Sequence, residues 1–248
     1  MILMADDVSA SLWSEIDSGR IDELVPELPA LRMEQDPIHR HKDVLSHTVA
    51  VVAKTPADLT VRLAALFHDI AKPNTRSFEH GGVTFRHHEV VGARITKKRM
   101  TAMGYDESMI ESVSELVRMS GRFKGYSDGD GWSDSAVRRY AREAGPLLGQ
   151  LNALIRSDCT TRNRNKAQAL QESIDDLERR VGELADEDRR AAERPQFDGD
   201  RVMTLLGIEP SRQVGQIMTW LMELKRDEGE LSDAELETRI REYYASLD

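Results

Sequence analysis

The chain has 248 residues, 40% hydrophobic, 31% charged and only 5% aromatic; that length supports one sizeable core or two smaller ones, and that composition favours helices over sheets. A net charge of −10 and a pI of about 5.3 argue against general nucleic-acid binding, which needs a positive surface, while leaving room for a local basic patch. The single Cys159 excludes an internal disulfide, and no apolar run approaches the roughly 18 residues of a membrane helix.

The opening "MILMADDVSA" reaches Asp6 and Asp7 at once and lacks a signal-peptide pattern, so the expectation is a soluble cytoplasmic protein. Short helices are expected at 8–18 and 20–25, before the prolines of "VPELPAL" break the chain. The segment "HKDVLSHTVAVVAK" is the first clear amphipathic helix. Val44, Leu45, Thr48, Val51 and Val52 recur at helical steps on one side, and His47 borders that side. Asp58 is a candidate N-cap for a helix over 58–71, with Leu59, Leu63, Leu66, Phe67 and Ile70 on its apolar side and Pro73 as its stop.

A small hairpin is expected near 77–86, turning about Gly81-Gly82. Helices follow at 88–103, with Gly104 as C-cap, and at 107–119. A glycine-rich loop precedes the capped helix "SDSAVRRYAREAG", and Pro146 opens a helix with Leu147, Leu151, Leu154 and Ile155 on one side. A long helix over 165–191 carries a narrow stripe of Ala167, Leu170, Ile174, Leu177, Val181 and Leu184, suited to an internal contact or to a dimer. After the linker "AERPQFDGD", two more helices are expected around 211–226 and 233–246. The natural domain boundary falls near 164.

Chemistry concentrates in "RLAALFHDIAKP", where His68 and Asp69 end an apolar helix. His47 lies one helix upstream, and His87 and His88 stand at the mouth of the helix after the hairpin. Asp158 falls in line with Leu147, Leu151 and Leu154, and a buried carboxylate needs a cation or strong donors beside it. One account covers these oddities: His47, His68, Asp69 and Asp158 converge on a divalent cation. Such a mixed nitrogen and oxygen shell suits a divalent ion, Mn, Fe, Co, Ni, Zn or Mg. The second oxygen of Asp69 can bridge toward another cation, with His88 as its ligand. His39 and His41 in a polar loop and His80 in the hairpin turn read as solvated.

The order His, His-Asp, His, Asp on successive helices resembles the HD-domain metal-dependent phosphohydrolase superfamily. The segments "ELPALRMEQDPIHRHKDVLSHT", "LAALFHDIAKPNTR", "HHEVVGAR", "WSDSAVRRY" and "IRSDCTTRN" resemble more closely the HD-containing C-terminal half of bacterial CCA-adding tRNA nucleotidyltransferases, in particular the actinobacterial type. The stretch "RPQFDGDRVMTLLGIEP" is similar to the tail of those enzymes, and the resemblance covers roughly 20–245.

The resemblance implies an all-α HD bundle with a C-terminal helical extension: an HD domain over 1–164 and a tail-like helical domain over 165–248. It also implies metal-dependent hydrolysis of a phosphate ester by a metal-activated water, acting on a nucleotide, a 2′,3′-cyclic phosphate or an RNA-end phosphate. Lys72 would donate to the phosphate or orient Asp69. Arg76 and Arg162 would line the entrance, with Arg156, Arg164 and Lys166 adding local positive charge.

Two departures from the pattern matter. The 248 residues hold no glycine-rich motif followed by paired aspartates, so nucleotide addition is not expected of this chain alone. Ser120 stands about where relatives often carry a further histidine, which favours one tightly held metal over two. The competing expectation is a non-catalytic module that binds tRNA or a separate nucleotidyltransferase on a metal-stabilised HD scaffold.

Overall fold

The computed structural model describes residues 2–34, 43–79, 82–127, 131–161 and 163–247. In chain order its elements are α1 (Val8–Asp17), α2 (Val44–Lys54), α3 (Leu59–Phe67), α4 (Lys72–Thr75), β1 (Arg76–Glu79), β2 (Gly82–Phe85), α5 (His88–Ala102), α6 (Glu107–Met119), α7 (Lys124–Ser127), α8 (Asp134–Ala144), α9 (Leu148–Asp158), α10 (Arg164–Ala192), α11 (Gly199–Leu206), α12 (Arg212–Glu228) and α13 (Asp233–Ala245). Short 3₁₀ turns at 2–4, 20–23, 28–31 and 145–147 link them. The chain is all-α, with one two-stranded antiparallel ribbon among the described residues. No helix among the described residues is long and apolar enough to cross a membrane.

Two compact units divide the chain, Met1–Gly182 and Glu183–Asp248. The division falls inside α10, later than the boundary near 164 read from the sequence. The early turns of α10 belong to the first unit because its neighbours there grip them. Arg156 bonds Asp175 at 2.6 Å and Glu178 at 2.7 Å, Asn152 Nδ2 donates to Glu178 at 3.0 Å, and Tyr126 donates to Asp176. Ile174 and Leu177 of the expected stripe are buried within this unit.

The first unit is built around α3, which packs against α2, α5, α6 and α9. Asp58 caps α3 by accepting from Val61 N at 3.1 Å, and every residue from Val61 to Phe67 is buried. A helix enclosed on all sides makes a stiff support for whatever follows it. Burial of Phe67 alone contributes roughly 2–3 kcal/mol. At the close approach of α5 to α6 sits Gly92, where a Cβ would stand 3.3 Å from Val117 Cγ1 and 3.8 Å from Ile70 Cγ2.

The helix expected over 58–71 stops at Phe67. Three-residue turns replace it: Ile70 N donates to Phe67 O at 3.1 Å and Lys72 N to Asp69 O at 3.0 Å. Pro73 then occupies the first turn of α4, where its missing N–H is harmless. In the ribbon, Arg76 pairs with Phe85, Ser77 with Thr84, Phe78 with Val83 and Glu79 with Gly82. The expected turn residues His80 and Gly81 lie outside the described residues, as do His39, His41 and Arg162.

The second unit has its own core of Phe197, Val202, Ile217, Leu221, Leu224, Leu236 and Ile240. Trp220 stacks on Tyr243 at 4.4 Å, and the Arg201 guanidinium lies 3.5 Å from the Phe197 ring centroid. Helix α11 starts at the end of the expected linker and fills a stretch where the sequence reading placed no helix. Its signals were present: Asp198 caps it, accepting from Arg201 N at 2.8 Å, and Gly207 closes it at φ +64°.

Candidate metal centre

Four elements carry the site. His47 comes from the middle of α2, whose start is fixed by Asp43 accepting from Ser46 N at 2.6 Å. His68 and Asp69 lie in the tight turn after α3, His88 is the first residue of α5, and Asp158 is the last of α9. Lys54, at the end of α2, donates to the carbonyl of Cys159, which ties the His47 and Asp158 helices together.

The donor atoms converge. His47 Nε2 and His68 Nε2 lie 3.4 Å apart, and Asp69 Oδ2 is 3.6 Å and 3.3 Å from them. Asp158 Oδ1 lies 2.9 Å from His47 Nε2 and 3.5 Å from His68 Nε2. Donors held about 2.1 Å from one cation stand about 3.0 Å apart in octahedral and about 3.4 Å apart in tetrahedral geometry. The five separations, 2.9 to 3.6 Å, lie close to that range, and His47, His68 and Asp69 form a group that could hold a metal ion. His47, His68 and Asp69 are buried, and their ligating atoms all lie within 4.8 Å of one another.

Each imidazole is oriented from behind. His68 Nδ1 donates to Ala65 O at 2.7 Å, and His88 Nδ1 donates to Phe85 O at 2.7 Å. Thr160 Oγ1 holds His47 Nδ1 at 2.9 Å. These bonds leave each Nε2 facing inward, the usual support of a metal-ligating histidine. Thr160 escaped the sequence reading; its one signal was its place two residues after Asp158.

The electrostatics are those of buried groups of opposite charge that hold one another ionised. Burial would lower the pKa of His68, but the charges and hydrogen bonds of Asp69 and Asp158 outweigh it and push the imidazole up to about 10. Burial would raise the Asp69 carboxyl, yet His68, Lys72 and His47 hold it far below the carboxylate range. Asp158 is likewise held low by His47 and His68 against its desolvation. Burial pushes His88 down, only partly offset by Asp69 and Glu89.

Several expectations change in detail. Asp158 follows the leucine stripe of α9 but its side chain is 40% exposed, because the helix ends there and the chain turns away. Lys72 is buried and donates to Asp69 Oδ2 at 2.7 Å, which leaves it facing that carboxylate and not the solvent. Arg156 is committed to Asp175 and Glu178, so it braces α10 and its charge is spent there, not added to the surroundings of the site. His88 Nε2 faces the other oxygen of Asp69, Oδ1, at 3.6 Å. Ser120 Oγ donates to Val117 O at 2.9 Å and offers nothing to His88. His87, exposed at φ +60°, makes the bend from β2 into α5. Arg76 opens β1 with its guanidinium 5.0 Å from the Phe78 ring.

Two curated relatives match most of the chain. The CC-adding tRNA nucleotidyltransferase of Thermus thermophilus is 31% identical over 218 residues, covering 84% of this chain and 47% of its own. The A-adding tRNA nucleotidyltransferase of Deinococcus radiodurans is 27% identical over 232 residues, covering 90% of this chain and 52% of its own. The chain therefore spans about half the length of the curated relatives it matches. A family model for the HD domain matches residues 44–191, from the first residue of α2 almost to the end of α10, and the chain belongs to the HD domain family.

Proposed function

We propose that this protein is a metal-dependent phosphohydrolase, a phosphodiesterase or phosphatase acting on a nucleotide, a 2′,3′-cyclic phosphate or an RNA-end phosphate. The observation that carries the reading is the convergence of His47 Nε2, His68 Nε2 and Asp69 Oδ2 within 4.8 Å, with Asp158 Oδ1 2.9 Å from His47. His47, His68, Asp69 and Asp158 would hold the cation, of the Mn, Fe, Co, Ni, Zn or Mg kind. When bound, it supplies Lewis-acid activation of water and neutralises charge on a phosphoryl group.

The chain's own groups do the rest. Asp69 is aimed by Lys72, which shares its Oδ2 atom, so Lys72 is a positioning residue. Asp158 is the most exposed of the four donors and marks the side from which a phosphate enters. Its oxygen, held ionised by the two imidazoles, is in the charge state that a cation requires. His88, beside Asp69 Oδ1, is reserved for a second cation or for the substrate. Arg76 and Arg162 are assigned to the substrate phosphate on charge alone.

A second reading draws support from the names of both relatives and from Ser120: a binding module for tRNA or for a separate nucleotidyltransferase, on a metal-stabilised scaffold. Elemental analysis of the purified protein, with a panel of phosphomonoesters, phosphodiesters and cyclic nucleotides, separates the two. Hydrolysis abolished by Asp69→Ala supports the enzyme. A metal-loaded protein that cleaves none of the panel but retains tRNA-sized RNA supports the module.

A further inference from the structure

We infer that Thr160 and Lys54 are positioning residues of the metal centre: together they close residues 158–160 as a clasp over His47, so that His47 and Asp158 meet a cation as one unit. The inference rests on the ligand set of the reading above and not on the ester cleaved. Residues 158–160 touch the His47 helix at three successive points. Asp158 Oδ1 lies 2.9 Å from His47 Nε2, Lys54 Nζ donates to Cys159 O, and Thr160 Oγ1 lies 2.9 Å from His47 Nδ1. Both nitrogens of one imidazole are thus met by the two ends of one short segment. Lys54 follows His47 by seven residues, two helical turns, so both project from the same side of α2.

The three histidines differ in what backs them. His68 and His88 find carbonyls three residues behind them, Ala65 O and Phe85 O, each at 2.7 Å. Those carbonyls stand at the ends of α3 and β2, so the local chain orients both rings. His47 lies inside α2, where backbone carbonyls serve the helix; Asp43 O, for one, accepts from His47 N at 3.1 Å. A partner for its Nδ1 has to come from elsewhere, and it comes from 113 residues away. With Nε2 on a cation the ring proton sits on Nδ1, and the Thr160 hydroxyl is the acceptor it needs. The clasp itself is light. Helix α9 ends at Asp158 and α10 begins at Arg164, so Cys159 and Thr160 belong to neither. The Asp158 side chain is 40% exposed, Cys159 and Thr160 are half-buried and Lys54 is exposed. With little burial to hold the segment down, its place depends on these few polar contacts. His68, Asp69 and Lys72, in contrast, are all buried beyond the end of α3. The centre thus has a fixed half and a clasped half.

Competition for Zn²⁺ against a chromophoric chelator tests this on the full-length protein, with circular dichroism and melting of each variant to verify folding. Thr160→Val keeps the side-chain shape and removes the acceptor, so it should bind Zn²⁺ about tenfold to hundredfold more weakly. Thr160→Ser restores the hydroxyl and should keep the parent's affinity. Lys54→Met should weaken binding about two- to tenfold, the worth of one hydrogen bond. Thr161→Val makes the same change one residue on, where the exposed hydroxyl accepts from Asn163 N, and should bind as the parent does. Isotope-edited NMR of the Zn²⁺-loaded protein should show the His47 Nδ1 proton sheltered in the parent and in Thr160→Ser, and exchanging fast with water in Thr160→Val. Parental affinity in Thr160→Val, or an equal loss in Thr160→Ser or Thr161→Val, overturns the inference. A parent that takes up no Zn²⁺ overturns the ligand set and the inference with it. Metal binding that follows the expected pattern in a protein that hydrolyses no ester sinks the hydrolase reading and leaves the clasp standing.

Discussion

His47 Nε2 lies 2.9 Å from Asp158 Oδ1, although the histidine sits in mid-α2 and the aspartate ends α9. The contact joins two helices that both pack on α3. Asp158 is the least buried donor of the four, with its side chain 40% exposed, so its removal leaves little buried space. Asp158→Ala should therefore fold with a melting temperature within a few degrees of the parent, yet bind metal at least about tenfold more weakly. Competition against a chromophoric chelator measures the affinity, and parental affinity in the variant would remove Asp158 from the ligand set.

Lys72 and Asp69 form a buried ion pair at 2.7 Å. Removing one partner of such a pair is costly, by about 3 kcal/mol, because the other charge is stranded. A divalent cation at Asp69 would replace the missing positive charge. Lys72→Met should thus be strongly destabilised in chelator and recover most of its stability when Mn²⁺ is added. Urea denaturation in both conditions checks this, and an equal loss with and without metal would separate Lys72 from the site.

Protons and metal compete for His68. Its imidazole is pushed up to about 10 in the metal-free protein, so at pH 7 it carries a proton that a cation must displace. Metal uptake at pH 7 should release about one proton from this residue, and affinity should rise as pH climbs toward that value. Titration calorimetry in two buffers of different ionisation enthalpy reads the proton count directly. Heats that do not depend on the buffer would contradict the assignment.

Gly92 lets α5 approach α6 and the turn that carries Asp69. Its missing Cβ would touch Val117, Ile70 and the carbonyl of Phe67, at 3.3 to 3.8 Å. Gly92→Val should lower stability by about 1–3 kcal/mol through overpacking. Because Ile70 adjoins Asp69, the same change should weaken metal binding although residue 92 touches no ligand. Chemical denaturation and the chelator assay test the two halves. A stable variant with lower affinity would place the whole effect in the turn.

The apolar periodicity of α2, α3 and α9, the caps at Asp58 and Gly104, and the hairpin around Gly82 were all legible in the sequence, because each is written in neighbours a few positions apart. So was the oddity of His47, His68, Asp69 and Asp158: polar groups bordering or interrupting apolar stripes are costly without partners, and that cost points to a shared one. Local pattern could not say how the turn at 68–71 tightens, since Pro73 and the packing of α5 decide it together. Nor could it say that Lys72 is buried against Asp69, that Thr160 orients His47, or that Arg156 is held by α10. The unit boundary moved into α10 for the same reason: a continuous helix has no local break, and only the side chains gripping Asp175, Asp176 and Glu178 show which body its early turns join. Residue type and spacing thus determined which groups had to be paired. Contacts between segments far apart in the chain decided with whom, because their distances and burial exist only once the helices pack.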